Sequence, residues 1–297
     1  MILLTGATGF IGERVLRALS EKKVQVRCLV RKPVRSEKPN ISYVISDVLD
    51  YDSLVKATEG VDTVYYFIHM MGTQKAQKRF DILDRLAITN MVKACKINDV
   101  KRIIHLTGIR PRQEKLSTHL ESRKEVEEMI KNSGIDYTIF RASVIIGRGG
   151  AAFEILDTAV RKFPIIPVFN WENTKTQPIY IGDVIRYLVE CLDKKETLNK
   201  CYDIGCSQVF TYRELMQQYA KELGLKRVFL SIPGSWNWLS SVMLGKLAPV
   251  NPNVIYWLIE SLHNNMVCEP NDLKTIFWFE PLSFKESIRK IAETSNR

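Results

Sequence analysis

The chain has 297 residues, and its composition is that of an ordinary globular protein, with 45% apolar and 26% charged residues. It contains only 15 glycines and 11 prolines, which excludes the collagen-like and disordered classes. Lysine and arginine number 43 against 33 acidic residues, an excess of +10 that indicates an anionic partner only where basic residues cluster. The length predicts two domains or one elaborated α/β unit.

The six cysteines are scattered, without a Cys-x-x-Cys pair or nearby histidines, so we expect neither a metal site nor a disulfide framework. This cysteine usage predicts a reducing, cytoplasmic location. The sequence starts directly on a strand-like run, which is unlike a secretory signal. No stretch of about 18 uncharged apolar residues occurs, which predicts no transmembrane helix. The basic residues are dispersed, which argues against nucleic-acid binding.

The first half alternates short β-rich runs with amphipathic helical patterns. The predicted strands are Ile2–Leu4, Val24–Val30, Tyr43–Ser46, Thr63–Ile68, Arg102–Thr107 and Tyr137–Arg141. The predicted helices are Phe10–Ser20, Ser53–Glu59, Gln77–Ile97 and Glu121–Lys131. Strands joined through helices are parallel, because a parallel pair needs a long crossover. Residues 1–150 are therefore predicted to form a doubly wound parallel α/β sheet.

The pattern becomes less regular after Arg141. The predicted elements are helix Ala152–Lys162, a proline-punctuated run Phe163–Pro167, strand Gln177–Ile181, helix Asp183–Leu192 with Asp183 as N-cap, strand Cys201–Ile204, helix Tyr212–Leu223 and strand Val228–Ile232. We interpret residues 151–297 as a smaller α+β substrate lobe, interleaved with the sheet and joined to it without a linker.

Two apolar segments follow in this lobe, Pro233–Leu247 and Ile255–Leu262. Exposed, they would form a peripheral membrane or protein contact. The alternative, which we favour, is that they pack together and cap a substrate cleft.

A glycine-rich turn, Leu4-Thr5-Gly6-Ala7-Thr8-Gly9-Phe10-Ile11-Gly12, links the first strand to the first helix. This placement is typical of a dinucleotide-binding fingerprint. Gly6 allows the tight turn, Gly9 lets the backbone approach the pyrophosphate, and Gly12 lets the helix pack closely on the strand. The phosphates then contact backbone N–H groups at a helix N-terminus.

These residues resemble the short-chain dehydrogenase/reductase superfamily, in its extended or atypical branch. The resemblance continues through Ser46–Val48, Leu106–Gly108, Gly134–Arg141, Pro178–Val184, Tyr202–Gly205 and Phe279–Ser283. It implies a Rossmann fold that binds NAD(P)(H). The cofactor contacts that it implies, besides the three glycines, are Thr8, Phe10, Ile11, Asp47, Val48, Phe67, Ile68, His69, Leu106, Ala142, Ser143 and Val144. For His69, the alternative is a histidine that is simply hydrogen-bonded within the fold.

The end of the second strand indicates which dinucleotide is preferred. An NAD-selective site places an acidic residue there to bind the ribose 2′-hydroxyl, whereas this strand ends in Arg31 and Lys32. Arg31 could bind a 2′-phosphate in a bidentate manner, and Lys32 could add a second charge. We therefore expect NADP(H), with NAD(H) as the alternative. The other interpretation is that Arg31, Lys32 and Arg35 form an ordinary solvated loop.

Catalytic members of the superfamily use a Ser or Thr after strand five and a Tyr-x-x-x-Lys on the next helix. Thr107 occupies the first position, while His119 and Arg123 stand at the positions of the Tyr and the Lys. Arg123 could bind the nicotinamide ribose, but a guanidinium does not deprotonate. His119 could act as an acid, since an imidazole titrates near neutrality, or it could be a capping or solvent-facing residue.

Two functions follow from the resemblance. The first is an NADP(H)-dependent reductase or epimerase-like enzyme that acts on an apolar small molecule, with Thr107, His119 and Arg123 at the reaction centre. The second is a dinucleotide-binding sensor or assembly factor without turnover, as in the atypical branch that includes NmrA-like redox sensors and a complex I accessory subunit. Loss of the Tyr-x-x-x-Lys pair favours the second, and the retained Thr107 with a complete substrate lobe favours the first.

Overall fold

The computed structural model describes residues 1–34, 38–72, 79–111, 115–234, 241–242 and 244–295. Its central sheet has seven strands: β1 (Ile2–Leu4), β2 (Val26–Val30), β3 (Ile41–Ile45), β4 (Thr63–Tyr66), β5 (Arg102–Gly108), β6 (Asp136–Ala142) and β11 (Lys200–Ile204). The spatial order is β3-β2-β1-β4-β5-β6-β11, and every neighbouring pair is parallel. The predicted doubly wound parallel α/β fold is confirmed.

Helices cover both faces of the sheet. They are α1 (Gly12–Glu21), α2 (Tyr51–Thr58), α3 (Phe80–Ile97), α4 (Thr118–Lys131) and α6 (Ile181–Glu190). Helices α2, α3 and α4 enclose one hydrophobic core, and α1 and α6 enclose the other. Successive residues of a strand enter opposite cores, as Ile103 and Ile104 of β5 do, because side chains alternate along a strand.

The second half adds a third hydrophobic core and completes the sheet. Its remaining elements are β7 (Ile145–Ile146), α5 (Ala151–Lys162), β8 (Ile165–Val168), β9 (Lys175–Thr176), β10 (Ile179–Tyr180), β12 (Phe210–Thr211), α7 (Tyr212–Glu222), β13 (Val228–Ser231), α8 (Pro252–Ser261), α9 (Leu273–Phe277) and α10 (Phe284–Ser295). Strand β11 leaves this half and pairs with β6. A boundary at residue 150 stays a prediction.

Two details differ from the sequence-based expectations. The run Phe163–Pro167 overlaps a strand, β8, which among the described strands pairs with β13 alone and so lacks the pattern of a long buried strand. Asp183 is not the N-cap of α6. The cap is Tyr180, and the buried Asp183 carboxylate accepts a hydrogen bond from the Leu282 N–H at 2.8 Å.

The two apolar segments of the second half, Pro233–Leu247 and Ile255–Leu262, differ in how much of each the structure describes. In Pro233–Leu247, residues 235–240 and 243 lie outside the described residues. The second segment forms most of α8, which buries Ile255 and Ile259 and contacts both α4 and α5. In the parts of the chain that the structure describes, we find no helix of the length and hydropathy that a membrane span requires.

Candidate functional site

The strand order reverses between β1 and β4, at the point where ligands bind in doubly wound sheets. The loops after these two strands are joined by the Thr5 hydroxyl, which donates to Tyr65 O at 3.0 Å and accepts from the Phe67 N–H at 2.9 Å. A cavity of about 760 Å³ extends from the glycine turn into the second half of the chain. Among its described lining residues, Arg123 carries the single formal charge.

The glycine turn has the geometry that its sequence predicts. Gly6 has a left-handed backbone with φ of +65°, which glycine adopts without steric cost. A Cβ on Gly12 would lie 2.1 Å from Gly6 O, so a side chain there would require the turn to move. Gly6, Gly9 and Gly12 all line the cavity.

Helix α1 begins at this turn and points its N-terminus at the cavity. Within the described residues, the backbone N–H groups of Phe10, Ile11 and Gly12 make no backbone hydrogen bond. Free N–H groups at a helix N-terminus bind phosphate. The close approach at Gly12 and these donors together fit a dinucleotide pyrophosphate.

Most of the predicted cofactor contacts lie together on this cavity. Those that line it, besides the three glycines, are Phe10, Ile11, Phe67, His69, Leu106, Ala142, Ser143 and Val144. Those that lie outside it are Thr8, Arg31, Lys32, Asp47, Val48 and Ile68. Ser143 has protein partners already, since its hydroxyl lies 2.8 Å from Thr176 Oγ1 and 2.9 Å from Gln177 O.

The predicted cofactor residues after β2 and β3 do not line the cavity. Arg31 and Lys32 are exposed, and within the described residues neither side chain makes an ion pair or a hydrogen bond. Asp47 Oδ1 accepts from the Leu49 N–H at 3.0 Å, which holds the loop after β3. Arg35 lies outside the described residues.

Thr107 is at the carboxyl end of β5, and its side chain is buried against the cavity. Its Oγ1 has no hydrogen-bond partner among the described residues. Buried hydroxyl groups in native proteins are nearly always hydrogen-bonded. The hydrogen-bonding capacity of this hydroxyl is therefore unused by the described residues, and its oxygen is buried within the cavity wall.

His119 lies in the first turn of α4 and also lines the cavity. Its Nδ1 is 3.2 Å from Ser261 Oγ, which itself lies 2.9 Å from Trp257 O. Ser261 Oγ also lies 2.9 Å from Ser117 Oγ. We assign the Ser261 hydrogen to the Trp257 carbonyl, which makes Ser261 Oγ an acceptor towards Ser117 and His119 and places the His119 proton on Nδ1 and its lone pair on Nε2. Burial, with His69 and Arg123 nearby, holds the pKa of His119 well below its ordinary value.

The low pKa changes the part that His119 could play. An imidazole that is neutral near pH 7 accepts a hydrogen bond or a proton through its free nitrogen, and its protonated, acidic form is scarce. The sequence-based expectation of an acid at this position is therefore less favoured by the geometry than a base or acceptor.

Arg123 lies one helical turn after His119 on α4 and lines the same cavity. Its guanidinium makes no hydrogen bond or ion pair within the described residues. Burial lowers the pKa of Arg123, although the nearby Asp84 and Tyr66 act in the opposite direction, and an arginine remains protonated in proteins. The cavity thus contains a positive charge without a partner among those residues.

A second histidine faces His119 across the site. The ring centroids of His69 and His119 are 5.3 Å apart. His69 Nδ1 lies 2.7 Å from Asp84 Oδ2, and its Nε2 has no partner among the described residues. Burial and the charge of Arg123 lower the pKa of His69 to about 4, although Asp84 opposes this shift. The loop residue is therefore both hydrogen-bonded and part of the cavity wall.

Asp84 holds this wall in place. Its carboxylate accepts hydrogen bonds from His69, from the Ser122 hydroxyl at 3.0 Å and from the Met70 N–H at 2.8 Å. Burial acts to raise the pKa of Asp84, but these donors and the charge of Arg123 bring it below its ordinary value. An ionised carboxylate is thus retained inside the protein because three donors and a nearby cation stabilise it.

The sequence analysis missed Asp84, although a signal was present. Asp84 falls on the buried face of α3, in register with Phe80, Ala87, Ile88 and Met91. An acidic residue within an apolar helical stripe indicates a buried, paired carboxylate. Ser261 carried no comparable signal, because its contact with His119 spans 142 residues of sequence.

The far wall of the cavity comes from the second half of the chain and is largely apolar. Helices α5, α7 and α8 supply this wall, together with the segment that follows β8; its residues include Ile155, Leu156, Ala159, Phe163, Ile166, Pro167, Phe169, Trp171, Tyr212, Leu215, Met216, Val254, Leu258 and Ile259. Helix α8 therefore covers the cleft, as the capping interpretation of the segment Ile255–Leu262 predicts.

A family model described as NAD(P)H-binding matches residues 6–162. The subunit named NADH dehydrogenase [ubiquinone] 1 alpha subcomplex subunit 9, mitochondrial, of Dictyostelium discoideum is 26% identical over 84% of this chain and 72% of its own length. The Arabidopsis thaliana protein of the same name is 25% identical over 71% of this chain, and the match spans 55% of that protein.

Two further proteins extend the comparison. A ceramide reductase of Caulobacter vibrioides is 24% identical over 78% of this chain and 74% of its own length. The solved structure of an NADPH-dependent quinone oxidoreductase from Escherichia coli, in complex with NADPH, superposes with a TM-score of 0.76 at 18% identity over 98% of this chain and all of that one. The family model covers more than half of the sequence and includes the glycine turn, so the chain belongs to the NAD(P)H-binding family.

Proposed function

We propose that the protein is an NADP(H)-dependent reductase of apolar carbonyl compounds. The observation that supports this proposal is one continuous cavity, which joins the glycine turn to an apolar wall and carries Thr107, His119 and Arg123 between them. A cofactor at the glycine turn and an apolar substrate against the far wall would meet at these three side chains. The relatives named above as a ceramide reductase and an NADPH-dependent quinone oxidoreductase support a reductase assignment.

Each of the three residues has a part that its chemistry allows. When bound, the dinucleotide supplies the hydride. The free Thr107 hydroxyl donates a hydrogen bond to the substrate oxygen, and Arg123 stabilises negative charge there or binds the nicotinamide ribose. In the oxidising direction, neutral His119 takes the proton of the substrate hydroxyl at Nε2 as hydride leaves the carbon. In reduction, the protonated imidazole returns that proton to the substrate oxygen as hydride reaches the carbon.

The preference for NADP(H) over NAD(H) is part of the proposal. Arg31 and Lys32 follow β2 directly, are exposed, and have no competing carboxylate partner within the described residues. A 2′-phosphate would give them that partner, whereas the 2′-hydroxyl of NAD would not. A cytoplasmic location also belongs to the proposal and rests on the cysteine usage alone.

A second function, dinucleotide binding without turnover, is supported by the altered catalytic positions. Arg123 cannot lend a proton, and the pKa of His119 is well below its ordinary value. The relatives named as NADH dehydrogenase subunits are consistent with a protein that serves an assembly. In that case the cavity would hold the cofactor, but no hydride would move.

An assay of NADPH oxidation with a panel of apolar ketones, aldehydes and quinones separates the two functions. We expect oxidation of NADPH with at least one compound. Thr107→Val should lower kcat about a hundredfold, because it removes the hydroxyl and keeps the shape. Thr107→Ser, the matched control, keeps the hydroxyl and should stay within a fewfold of the wild type. If no compound is reduced while NADPH binds tightly, the second function replaces the first.

A further inference from the structure

We infer that the protein docks on anionic lipid bilayers through the outer face of the strand pair β8 and β13. This docking face consists of Ile165, Val228 and Leu230, and Lys162 and Lys226 border it. The inference goes beyond the proposed reductase function and does not depend on turnover, because it concerns the outside of the molecule and none of the reacting groups.

The docking face is apolar and open to solvent. Ile165 lies opposite Val228 in the register of the two parallel strands, and Leu230 lies two residues further along β13. These side chains share one face, because side chains alternate along a strand. They are 56%, 62% and 54% exposed, respectively. Parallel strands are normally covered on both faces, so an exposed apolar face on such a pair indicates a contact site.

The opposite face of the same strands is buried. Ile166 is 3% exposed and belongs to the third hydrophobic core, against which Phe229 packs. Ile166 also lines the cavity. The strand pair is therefore held in place from its inner side, and a substitution on the docking face should leave the core intact.

The edges of the strand pair are poorly suited to a further strand. Pro167 of β8 has no N–H to donate, and the Arg213 guanidinium donates to Phe229 O of β13 at 3.0 Å. A protein partner that adds a strand would need such backbone groups free. The face remains available, and its apolar side chains suit a partner that offers a broad apolar layer.

Basic residues border the docking face at the amino end of both strands. Lys162 ends α5 three residues before Ile165, and Lys226 lies two residues before Val228. Both lysines lie at the same end of the pair, because the Val228 N–H donates to Pro164 O at 3.0 Å. Both are exposed, and neither forms an ion pair within the described residues.

Nearby acidic residues do not offset this charge. Residues 158–171 and 223–234, which contain the two strands, include no Asp or Glu. The acidic residues that adjoin these segments already have protein partners. They are Asp157 with Arg161, Glu172 with Arg213, and Glu222 with Gln218.

An apolar face with unpaired lysines at its border matches a bilayer surface that carries anionic headgroups. The lysines would bind the phosphates, while Val228 and Leu230 would enter the boundary between the headgroups and the acyl chains. Apolar burial and charge attraction then add to each other, which a neutral bilayer or a free phosphate would not provide.

The test measures binding of the NADPH-loaded full chain to large unilamellar vesicles by co-sedimentation. We expect at least tenfold tighter binding to phosphatidylcholine vesicles with about 30% phosphatidylglycerol than to vesicles of phosphatidylcholine alone. Salt at about 0.5 M should weaken the binding to the anionic vesicles, because it screens the lysine charges.

Two variants locate the contact. Lys226→Glu should weaken binding to the anionic vesicles about tenfold, whereas Lys93→Glu, the same charge reversal at an exposed position of α3, should not. Leu230→Ser should weaken it about fivefold, because less apolar area is buried. Its control is Ile45→Ser, since Ile45 is 59% exposed on β3, at the edge of the seven-stranded sheet.

Thermal unfolding of each variant should match that of the wild type, which separates loss of docking from loss of the fold. Equal binding to both kinds of vesicle, or equal weakening by Leu230→Ser and Ile45→Ser, would overturn the inference. Failure to bind either vesicle would also overturn it, as would light scattering that shows self-association through Leu230 instead. If docking occurs but no compound oxidises NADPH, the reductase function fails and the docking face stands.

Discussion

The two ends of the cavity bind by different means. At the glycine turn, the binding groups belong to the backbone. Gly6 adopts a left-handed φ, Gly12 leaves no room for a Cβ, and the N–H groups at the start of α1 lie at the cavity. At the other end, which we call the reacting end because the proposed reaction would take place there, Thr107, His119 and Arg123 surround a space that is otherwise apolar.

This difference shows why one end is compatible with many functions and the other is not. A backbone site recognises a pyrophosphate that every dinucleotide contains, so it indicates the cofactor class and little else. The chemistry possible at the reacting end depends on the pKa values of its side chains, which burial and neighbouring charges determine. The low pKa of His119 and of His69 therefore bears on chemistry in a way that the glycine turn does not.

Gly12→Ala tests the backbone end and should have the largest effect. A Cβ would lie 2.1 Å from Gly6 O and 2.7 Å from Gly6 C. We therefore expect the free energy of unfolding to fall by about 3 kcal/mol or more and NADPH binding to be lost. Denaturant unfolding and calorimetry measure both. Gly134→Ala is the control. Its φ is +77°, but nothing lies within 4 Å of the added Cβ, so it should cost only about 1 kcal/mol. Equal losses would mean that close packing at Gly12 is unimportant.

His119→Ala tests the side-chain end. We expect kcat to fall about a hundredfold while the dissociation constant of NADPH changes by less than twofold, because the imidazole faces the substrate space. His263→Ala, an exposed histidine on the same chain, should leave both unchanged. An equal loss of NADPH affinity would mean that His119 contacts the cofactor rather than the substrate alone. The cofactor and substrate regions of the cavity would then share this residue.

The pH dependence of stability tests burial in the sheet beneath the cavity, at His105 of β5. Burial chiefly, with the charge of Arg123, lowers the pKa of His105 to about 4, against the opposing effects of Tyr66 O, Glu127 and Asp84. Between pH 6.5 and 4 the unfolded chain therefore binds a proton that the folded chain does not, and stability falls as the pH falls.

His105→Gln should remove about 2 kcal/mol of the stability lost between pH 7 and pH 5. His69, His119 and the more exposed His263, whose pKa values are also lowered by burial, contribute to the remaining loss. Urea unfolding at several pH values measures this, with His263→Gln as the control on a more exposed histidine. A variant whose pH profile matches that of the wild type would show that His105 titrates normally in the folded protein.

The sequence predicted the fold well because the signals are local. The alternation of strands and helices, and the glycine spacing from Gly6 to Gly12, are features of adjacent residues, and the structure confirms the sheet that they imply. Strand boundaries moved by a few residues. Asp183 was wrongly taken as an N-cap, because a carboxylate at a helix start caps the helix only when its backbone lies outside it.

The reacting end was only partly predictable, because it depends on contacts between distant residues. Thr107, His119 and Arg123 were identified through resemblance to a family pattern, and the structure places them on one cavity. Their electrostatic environment was not visible in the sequence. It depends on Asp84 from α3 and Ser261 from α8, which approach α4 only in the folded chain.

Arg31→Ala gives the smallest expected effect and tests the one place where the backbone end becomes selective. If Arg31 binds a 2′-phosphate, its loss should weaken NADPH about tenfold, since an exposed charge-assisted contact is worth little more than that. NADH affinity should not change, and Lys221→Ala, an exposed lysine on α7, should alter neither. Calorimetric titrations measure the NADPH and NADH affinities of both variants against those of the wild type. Equal weakening of NADPH and NADH would mean that Arg31 acts only through the general field of the +10 excess, and cofactor choice would then need a determinant elsewhere.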